Sequence, residues 1–256
     1  MRIATVVATL YSRGMEADVE TDPAWLERLY SLNGVIVASG ERLAGSICYE
    51  HHSTTFERER PVALNRTKRE RFRLAAQRAT RMLEIGVNGG HSAYVALSAN
   101  SDLEFHGVDI GEHKYVRPAV EWLMAEFPDR VFFYEGSCLE ILPELHRRGM
   151  HFDCFHIDGG KHTYYRDILN CHRLAEPHHQ SLIIVDDFNF GPVQTIWRLC
   201  IRQGLVKQSP DFPPMDRDAQ RQNAVGTLEP ISTPRWWAYR LRLALVTARR
   251  KFLARS

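Results

Sequence analysis

The residues Leu83-Glu84-Ile85-Gly86-Val87-Asn88-Gly89-Gly90-His91-Ser92 read as a buried strand, a glycine-rich turn and the start of a helix. Glycines in such a turn let the backbone approach a ligand closely and take φ values that other residues avoid. The start of the helix presents free N–H groups, which suit an anion such as a carboxylate. The dinucleotide fingerprint G-x-G-x-x-G is absent, because Asn88 stands where its second glycine would be. That counts against a nicotinamide or flavin nucleotide. A turn that serves packing alone is the plainer alternative.

Outward from this stretch the pattern is regular. Short apolar runs occur at Met82 to Ile85, Phe105 to Ile110, Val131 to Tyr134, Phe152 to Ile157 and Leu182 to Val185. They are apolar on both faces, as strands buried between helix layers are. Between them Val116, Ala119, Val120, Leu123, Met124 and Phe127 recur at helical spacing. Further helices are expected from Ser137 to Arg148 and from Thr163 to Leu174, and another opens at Pro192. Weaker strands follow near Leu205 to Gln208 and Asn223 to Leu228, on either side of a loop with Pro210, Pro213 and Pro214. The alternation predicts an α/β fold of Rossmann-like, doubly wound type. Its sheet is mostly parallel and seven-stranded, with helices on both faces and an N-terminal helical cap.

Three regions are expected. Residues 1–78 form a cap or lid with one helix, Pro23 to Leu32, capped by Thr21 or Asp22. Residues 79–232 form the core. Residues 233–256 form a basic amphipathic C-terminal helix. From Arg235 to Ser256 there are seven basic residues and no acidic one, interleaved with Trp236, Trp237, Tyr239 and several leucines. Such a helix suits a membrane surface or RNA, or packs on the domain with its charges solvated. A second basic stretch runs from Glu57 to Arg81, with nine Arg or Lys against three Glu.

Composition bounds the function broadly. The chain has 256 residues, 44% apolar and 25% charged, which is ordinary for a globular protein with a sizeable core. The formal net charge of +2 predicts no nucleic-acid partner by itself. Five scattered cysteines without a C-x-x-C pair suggest neither zinc nor a redox motif, and fit the cytoplasm. No apolar run is long enough to span a membrane, and the first ten residues lack the form of a signal peptide.

Acids stand at the carboxyl ends of the strands, where α/β sheets bind ligands. Asp109 ends the second strand, in a position to accept hydrogen bonds from ribose hydroxyls. Asp158 follows the fourth strand, and Asp186-Asp187 follow the fifth. Three converging carboxylates repel one another unless a cation neutralises them. Hard oxygen ligands suit Mg²⁺, Mn²⁺ or Ca²⁺. His156 precedes Asp158 by two and reads as a satisfied core histidine.

From about Arg81 to Val193 the chain resembles the class I S-adenosylmethionine-dependent methyltransferases. More narrowly, it resembles the metal-dependent O-methyltransferases of the catechol and caffeoyl-CoA type and the related macrolide-sugar group. Glu84, Gly86, Gly90 and Ser92 match the first motif, and Asp109 matches the ribose acid. Gly136-Ser137-Cys138 resembles the stretch that borders the adenine. Asp158 and Lys161 match the Asp-x-x-Lys segment, and Asp186-Asp187 match the acidic pair. Pro177 to Ser181 departs from the glycines usual before the fifth strand.

The resemblance implies S-adenosyl-L-methionine held by Glu84, Gly86, Asn88, Gly90, Ser92, Asp109, Ser137 and Asp158. It implies Mg²⁺, or Mn²⁺, on Asp158, Asp186 and Asp187, lowering the pKa of an acceptor hydroxyl. Lys161 is the first candidate base and His162 the second. The implied reaction is methyl transfer to a phenolic or sugar hydroxyl of a small molecule, in natural-product biosynthesis, by a homodimer. The alternatives are a methyltransferase directed at RNA or nitrogen and a non-catalytic cofactor-binding protein. Asp158-Gly159-Gly160 lacks the Asn/Asp-Pro-Pro-aromatic form of the amino-directed enzymes, while the basic tail keeps nucleic acid open.

Overall fold

A computed structural model describes residues 19–177, 179–212, 222–229 and 231–241. The strands are β1 (Arg81–Ile85), β2 (Glu104–Asp109), β3 (Val131–Glu135), β4 (Cys154–Ile157), β5 (Leu182–Val185), β6 (Val206–Gln208) and β7 (Ala224–Leu228). The helices are α1 (Pro23–Ala38), α2 (Arg66–Ala76), α3 (His91–Ala99), α4 (Val116–Glu126), α5 (Cys138–Arg147), α6 (Tyr164–Leu174) and α7 (Gly191–Arg202). Among the described residues the sheet has seven strands in the order β3-β2-β1-β4-β5-β7-β6. The first five pair in parallel, and β7 runs antiparallel to both β5 and β6. The order reverses between β1 and β4, so ligand-binding loops meet above those two strands.

This is the expected architecture, with local differences. The third strand is the sheet edge, and Phe132 on it is 39% exposed rather than buried on both faces. Phe152 makes only an isolated bridge to Ala175, so β4 starts later than the apolar run suggests. The first helix starts as expected, with the Asp22 carboxylate accepting from the Ala24 N–H at 3.0 Å. It runs on to Ala38 because its second half still faces the core through Asn33 and Ile36.

No break in packing marks residue 78. One hydrophobic cluster runs from Trp25 and Leu29 on α1 through Phe72 on α2 to Tyr94 on α3 and Leu123 on α4. The Tyr94 hydroxyl donates to the Trp25 carbonyl at 2.6 Å. Arg69, 2% exposed, donates to both carboxylate oxygens of Glu20 at 2.6 and 2.7 Å and to the carbonyls of Ile47 and Val62. The cap is therefore one wall of the core, and α2, within the basic stretch, buries Lys68, Arg69 and Arg71. Residues 1–18 of the expected cap lie outside the described residues.

The beginning of the basic C-terminal segment is helical over 233–241 and docks on the domain. The Trp236 indole N–H donates to the Leu169 carbonyl at 2.7 Å, and Arg173 lies over its ring. The Tyr239 hydroxyl donates to the Gln203 carbonyl at 2.9 Å. Trp237 and Leu241 face outward. Residues 242–256 and 213–221, with the tip of the proline-containing loop, lie outside the described residues. Among the described residues no helix is long and apolar enough to cross a membrane.

Candidate active site

Loops at the carboxyl ends of β1, β2, β4 and β5 enclose a cavity of ≈ 550 Å³. That lies within the range of small-molecule sites. Gly86, Asn88, Asp109, Asp158, Lys161 and Asp187 are on its wall. Ala44, Gly45 and His51 of the cap complete it opposite.

The turn after β1 is shaped for close approach. Gly86 has φ +92°, and a Cβ there would sit 2.6 Å from the Asp158 carbonyl oxygen. Only glycine lets the β1 and β4 loops meet in this way. Gly90, at φ +75°, serves packing instead, since a Cβ would press on Leu123 of α4 at 2.8 Å. Asn88 holds a left-handed φ of 52°. Its side-chain N–H donates to the Gly45 carbonyl at 2.7 Å, and its carbonyl accepts from the Tyr115 hydroxyl at 2.6 Å. The asparagine that breaks the dinucleotide fingerprint is the residue that pins the cap loop to the glycine turn.

Asp109 lies at the end of β2 on the cavity wall. Its Oδ2 accepts from the Asn88 N–H at 3.0 Å and its Oδ1 from the Gly111 N–H at 2.8 Å. These bonds fix the carboxylate while each oxygen keeps acceptor capacity for a diol. This donor–acceptor set and the glycine cradle fit a nucleoside cofactor. Ser137 caps α5 by accepting from the Leu139 N–H at 3.3 Å, between Gly136 and Cys138, which line the cavity. Burial pushes the Cys138 thiol up to about 12, so it stays protonated and is no nucleophile at neutral pH. Gly90 and Ser92 stand back from the cavity wall.

The acids at the ends of β4 and β5 divide into two layers. Asp158 and Asp187 face the cavity, and Lys161 Nζ lies 3.4 Å from the first and 2.6 Å from the second. Burial alone would depress the Lys161 ammonium, but Asp158 and Asp187 outweigh it and raise it. Burial and the charge of Asp186 push Asp158 up to about 7, a shift moderated by the charges of Lys161, Lys68 and His156. Asp187 keeps a left-handed φ of 51°, a strained position typical of functional loops. His162 is exposed and off the cavity wall, its ring against Gly160.

Beneath lies a dry layer. Asp186, 2% exposed, pairs through Oδ2 with the ammonium of Lys68, 1% exposed, at 2.5 Å. Its Oδ1 accepts from the Asp187 N–H at 2.7 Å. His156 lies between Glu84, 2.5 Å from Nδ1, and Asp186, 3.8 Å from Nε2. Burial would depress its imidazole, yet contacts with Asp186 and Glu84 raise it to about 10, so the ring carries a proton. Burial would raise the Asp186 carboxyl, but Lys68 and His156 hold it well below the carboxylate range. Glu84 is thus a partner of His156, with its Oε2 lacking a hydrogen-bond partner among the described residues.

The divalent ion implied by the resemblance meets a poor fit here. Ligand atoms of His156, Asp158 and Asp186 come within 4.8 Å of one another. However, Oδ2 of Asp186 already holds the Lys68 ammonium, whose positive charge repels a divalent ion beside it, and the His156 ring lies between Glu84 and Asp186. Asp187, the third expected ligand, turns to Lys161. Sequence reasoning anticipated the need for a cation but missed Lys68. No local signal in the sequence separates Lys68 from the arginines around it.

Comparison with known proteins bears on the fold. Residues 83–188 match the family described as a methyltransferase domain. No curated protein matches the chain. Among solved structures, cofactor-bound Rv0187 from MTB is 21% identical with a TM-score of 0.58, covering 88% of this chain and 97% of that one. An O-methyltransferase from Bacillus cereus in complex with SAH is 18% identical with a TM-score of 0.57, covering 88% and 97%. The O-methyltransferase TomG from Streptomyces achromogenes, involved in tomaymycin synthesis and bound to SAM, is 18% identical with a TM-score of 0.55, covering 89% and 96%.

Proposed function

We propose that this chain, whose fold is that of the class I S-adenosylmethionine-dependent methyltransferases, transfers a methyl group to a hydroxyl of a small molecule. The observation that carries the reading is one cavity joining Asp109 and the Gly86–Asn88 turn to the Asp158, Lys161 and Asp187 cluster. The O-methyltransferases with similar folds, one of them involved in tomaymycin synthesis, support a hydroxyl on a natural product.

When bound, S-adenosylmethionine supplies an electrophilic methyl group on a sulfonium. Asp109 accepts from the ribose hydroxyls, and the glycine turn admits the cofactor's backbone-facing side. The Lys161 ammonium donates to the acceptor oxygen, and the neighbouring Asp158 carboxylate, whose affinity for a proton is raised by burial, takes the hydroxyl proton. The cap residues Ala44, Gly45 and His51 enclose the acceptor and exclude water. Positioning two reactants in line supplies much of the rate. No step in this reading passes through a divalent ion.

The test is calorimetry with S-adenosylhomocysteine, followed by transfer of labelled methyl groups to a panel of phenols, glycosides and RNA. Binding with transfer to a hydroxyl supports the reading. Absence of binding ends it, and labelling of RNA or of an amine moves the acceptor class.

A further inference from the structure

We infer that Lys68 occupies the cation position against Asp186, so that the carboxylates at the ends of β4 and β5 are neutralised by this chain's own side chains and take no divalent ion. The inference deepens the methyltransferase reading and rests on it for its catalytic meaning, though not for its geometry.

Glu84, Asp158, Asp186 and Asp187 bring four carboxylates to the ends of three adjacent strands. Buried like charges require compensation. Lys68 reaches Asp186 from α2, Lys161 reaches Asp158 and Asp187 from the β4 loop, and the His156 ring lies between Glu84 and Asp186. Three basic side chains therefore stand among the four acids.

Geometry then separates this arrangement from a metal centre. A hard divalent ion needs several oxygen atoms with free lone pairs converging on one point. Asp186 Oδ2 is 2.5 Å from Lys68 Nζ, and Oδ1 is bonded to the Asp187 N–H at 2.7 Å. Both Lys68 and Asp186 are almost wholly buried and neither lines the cavity. An ion entering from the cavity would meet Asp158 and Asp187 but find Asp186 behind them with the Lys68 ammonium against its Oδ2, a charge that repels a second cation. An ammonium is a compact charge with three donors, able to replace one charge of an ion without its coordination shell. The consequence is methyl transfer that needs no added metal, with the acceptor held by Lys161.

The experiment uses Mn²⁺ alone as the probe, titrated into the full chain with S-adenosylhomocysteine present and followed by the paramagnetic signal of the free ion. Wild-type chain should leave the ion free. Lys68→Met should gain one Mn²⁺ per chain, at least tenfold tighter than wild type, and a further Asp186→Asn should abolish that gain. Mn²⁺ binding by wild type that Asp186→Asn removes overturns the inference, as does a folded Lys68→Met that gains no ion. Lys68→Met can fail to fold because it leaves a buried carboxylate unpaired, which circular dichroism detects. The wild-type titration against Asp186→Asn then decides alone. Failure to bind S-adenosylhomocysteine would end the methyltransferase reading while leaving the Mn²⁺ result to judge Lys68.

Discussion

The Tyr115 hydroxyl donates to Asn88 Oδ1 at 2.6 Å and accepts from the Ala44 N–H at 3.0 Å, so one side chain joins α4's N-terminus, the glycine turn and the cap. Asn88 completes the tie through the Gly45 carbonyl. The cap's position over the cavity is thereby coupled to the shape of the turn that receives the cofactor. Tyr115→Phe removes two such bonds at about 1 kcal/mol each. It should lower the melting temperature by several degrees and weaken S-adenosylhomocysteine binding. Asn88→Gly relieves the left-handed backbone yet loses both side-chain bonds, and should also weaken binding. Unchanged calorimetric affinity in both variants would separate the cap from the cofactor turn.

Asp109 has a narrower role. Its carboxylate organises the Asn88 and Gly111 N–H groups and faces the cavity. Hydrogen bonds to a charged group are worth about 1.5–3 kcal/mol, which corresponds to about 10- to 150-fold in affinity. Asp109→Ala should lose affinity in that range, with the far-ultraviolet circular dichroism intact. Calorimetry reads the first and a spectrum the second. Wild-type affinity in this variant would remove Asp109 from the ribose role.

The two candidate bases separate on position. Lys161 touches Asp158 and Asp187 on the cavity wall, whereas His162 is exposed and off that wall. Lys161→Ala should cut turnover by about 10²-fold or more, the scale of general acid–base and positioning effects, with cofactor affinity little changed. His162→Ala should change turnover by less than about threefold. The reverse order, measured once an acceptor is found, would return His162 to the mechanism.

Much of this was readable in the chain. The five parallel strands announce themselves as apolar runs, and the acids at their ends are placed by the strand boundaries alone. Asp109 and Asp158 reach the cavity because a β-strand must deliver its next residue to the sheet's carboxyl edge. What periodicity does not encode is pairing across distant sequence. Lys68 sits among arginines in a stretch that resembles a solvated face, and its destination at Asp186 exists only after α2 has packed over the sheet. Asn88 was visible as a departure from a glycine motif. Its use as a cap anchor depended on where Gly45 and Tyr115 come to lie. His156 was read as a core histidine and is one, but its two acidic neighbours make it a cation rather than a neutral ring.

His91, the first residue of α3, supplies a pH dependence that links the cap to the same turn. Its Nε2 lies 2.9 Å from Asn33 Oδ1 on α1, while the Asn33 amide donates to the Tyr49 hydroxyl and the Phe56 carbonyl. The amide's donors are thus spent, so Asn33 Oδ1 accepts and His91 Nε2 donates, which fixes the tautomer. Burial depresses the imidazole from 6.5 to about 3, so the folded chain holds it neutral where the unfolded chain would protonate it. The unfolded state binds the extra proton below pH 6.5, and stability therefore falls as pH drops from there toward 3. At about 1.4 kcal/mol per pH unit, His91 alone should remove about 2 kcal/mol between pH 7 and pH 5. The buried, neutral rings of His106 and His172 add slopes of the same sign. His91→Gln keeps a donor for Asn33 and no titration. It should be less stable than wild type at pH 7 but lose less on going to pH 5, as read by urea unfolding at both values. Equal losses in the two proteins would show that His91 does not titrate on unfolding.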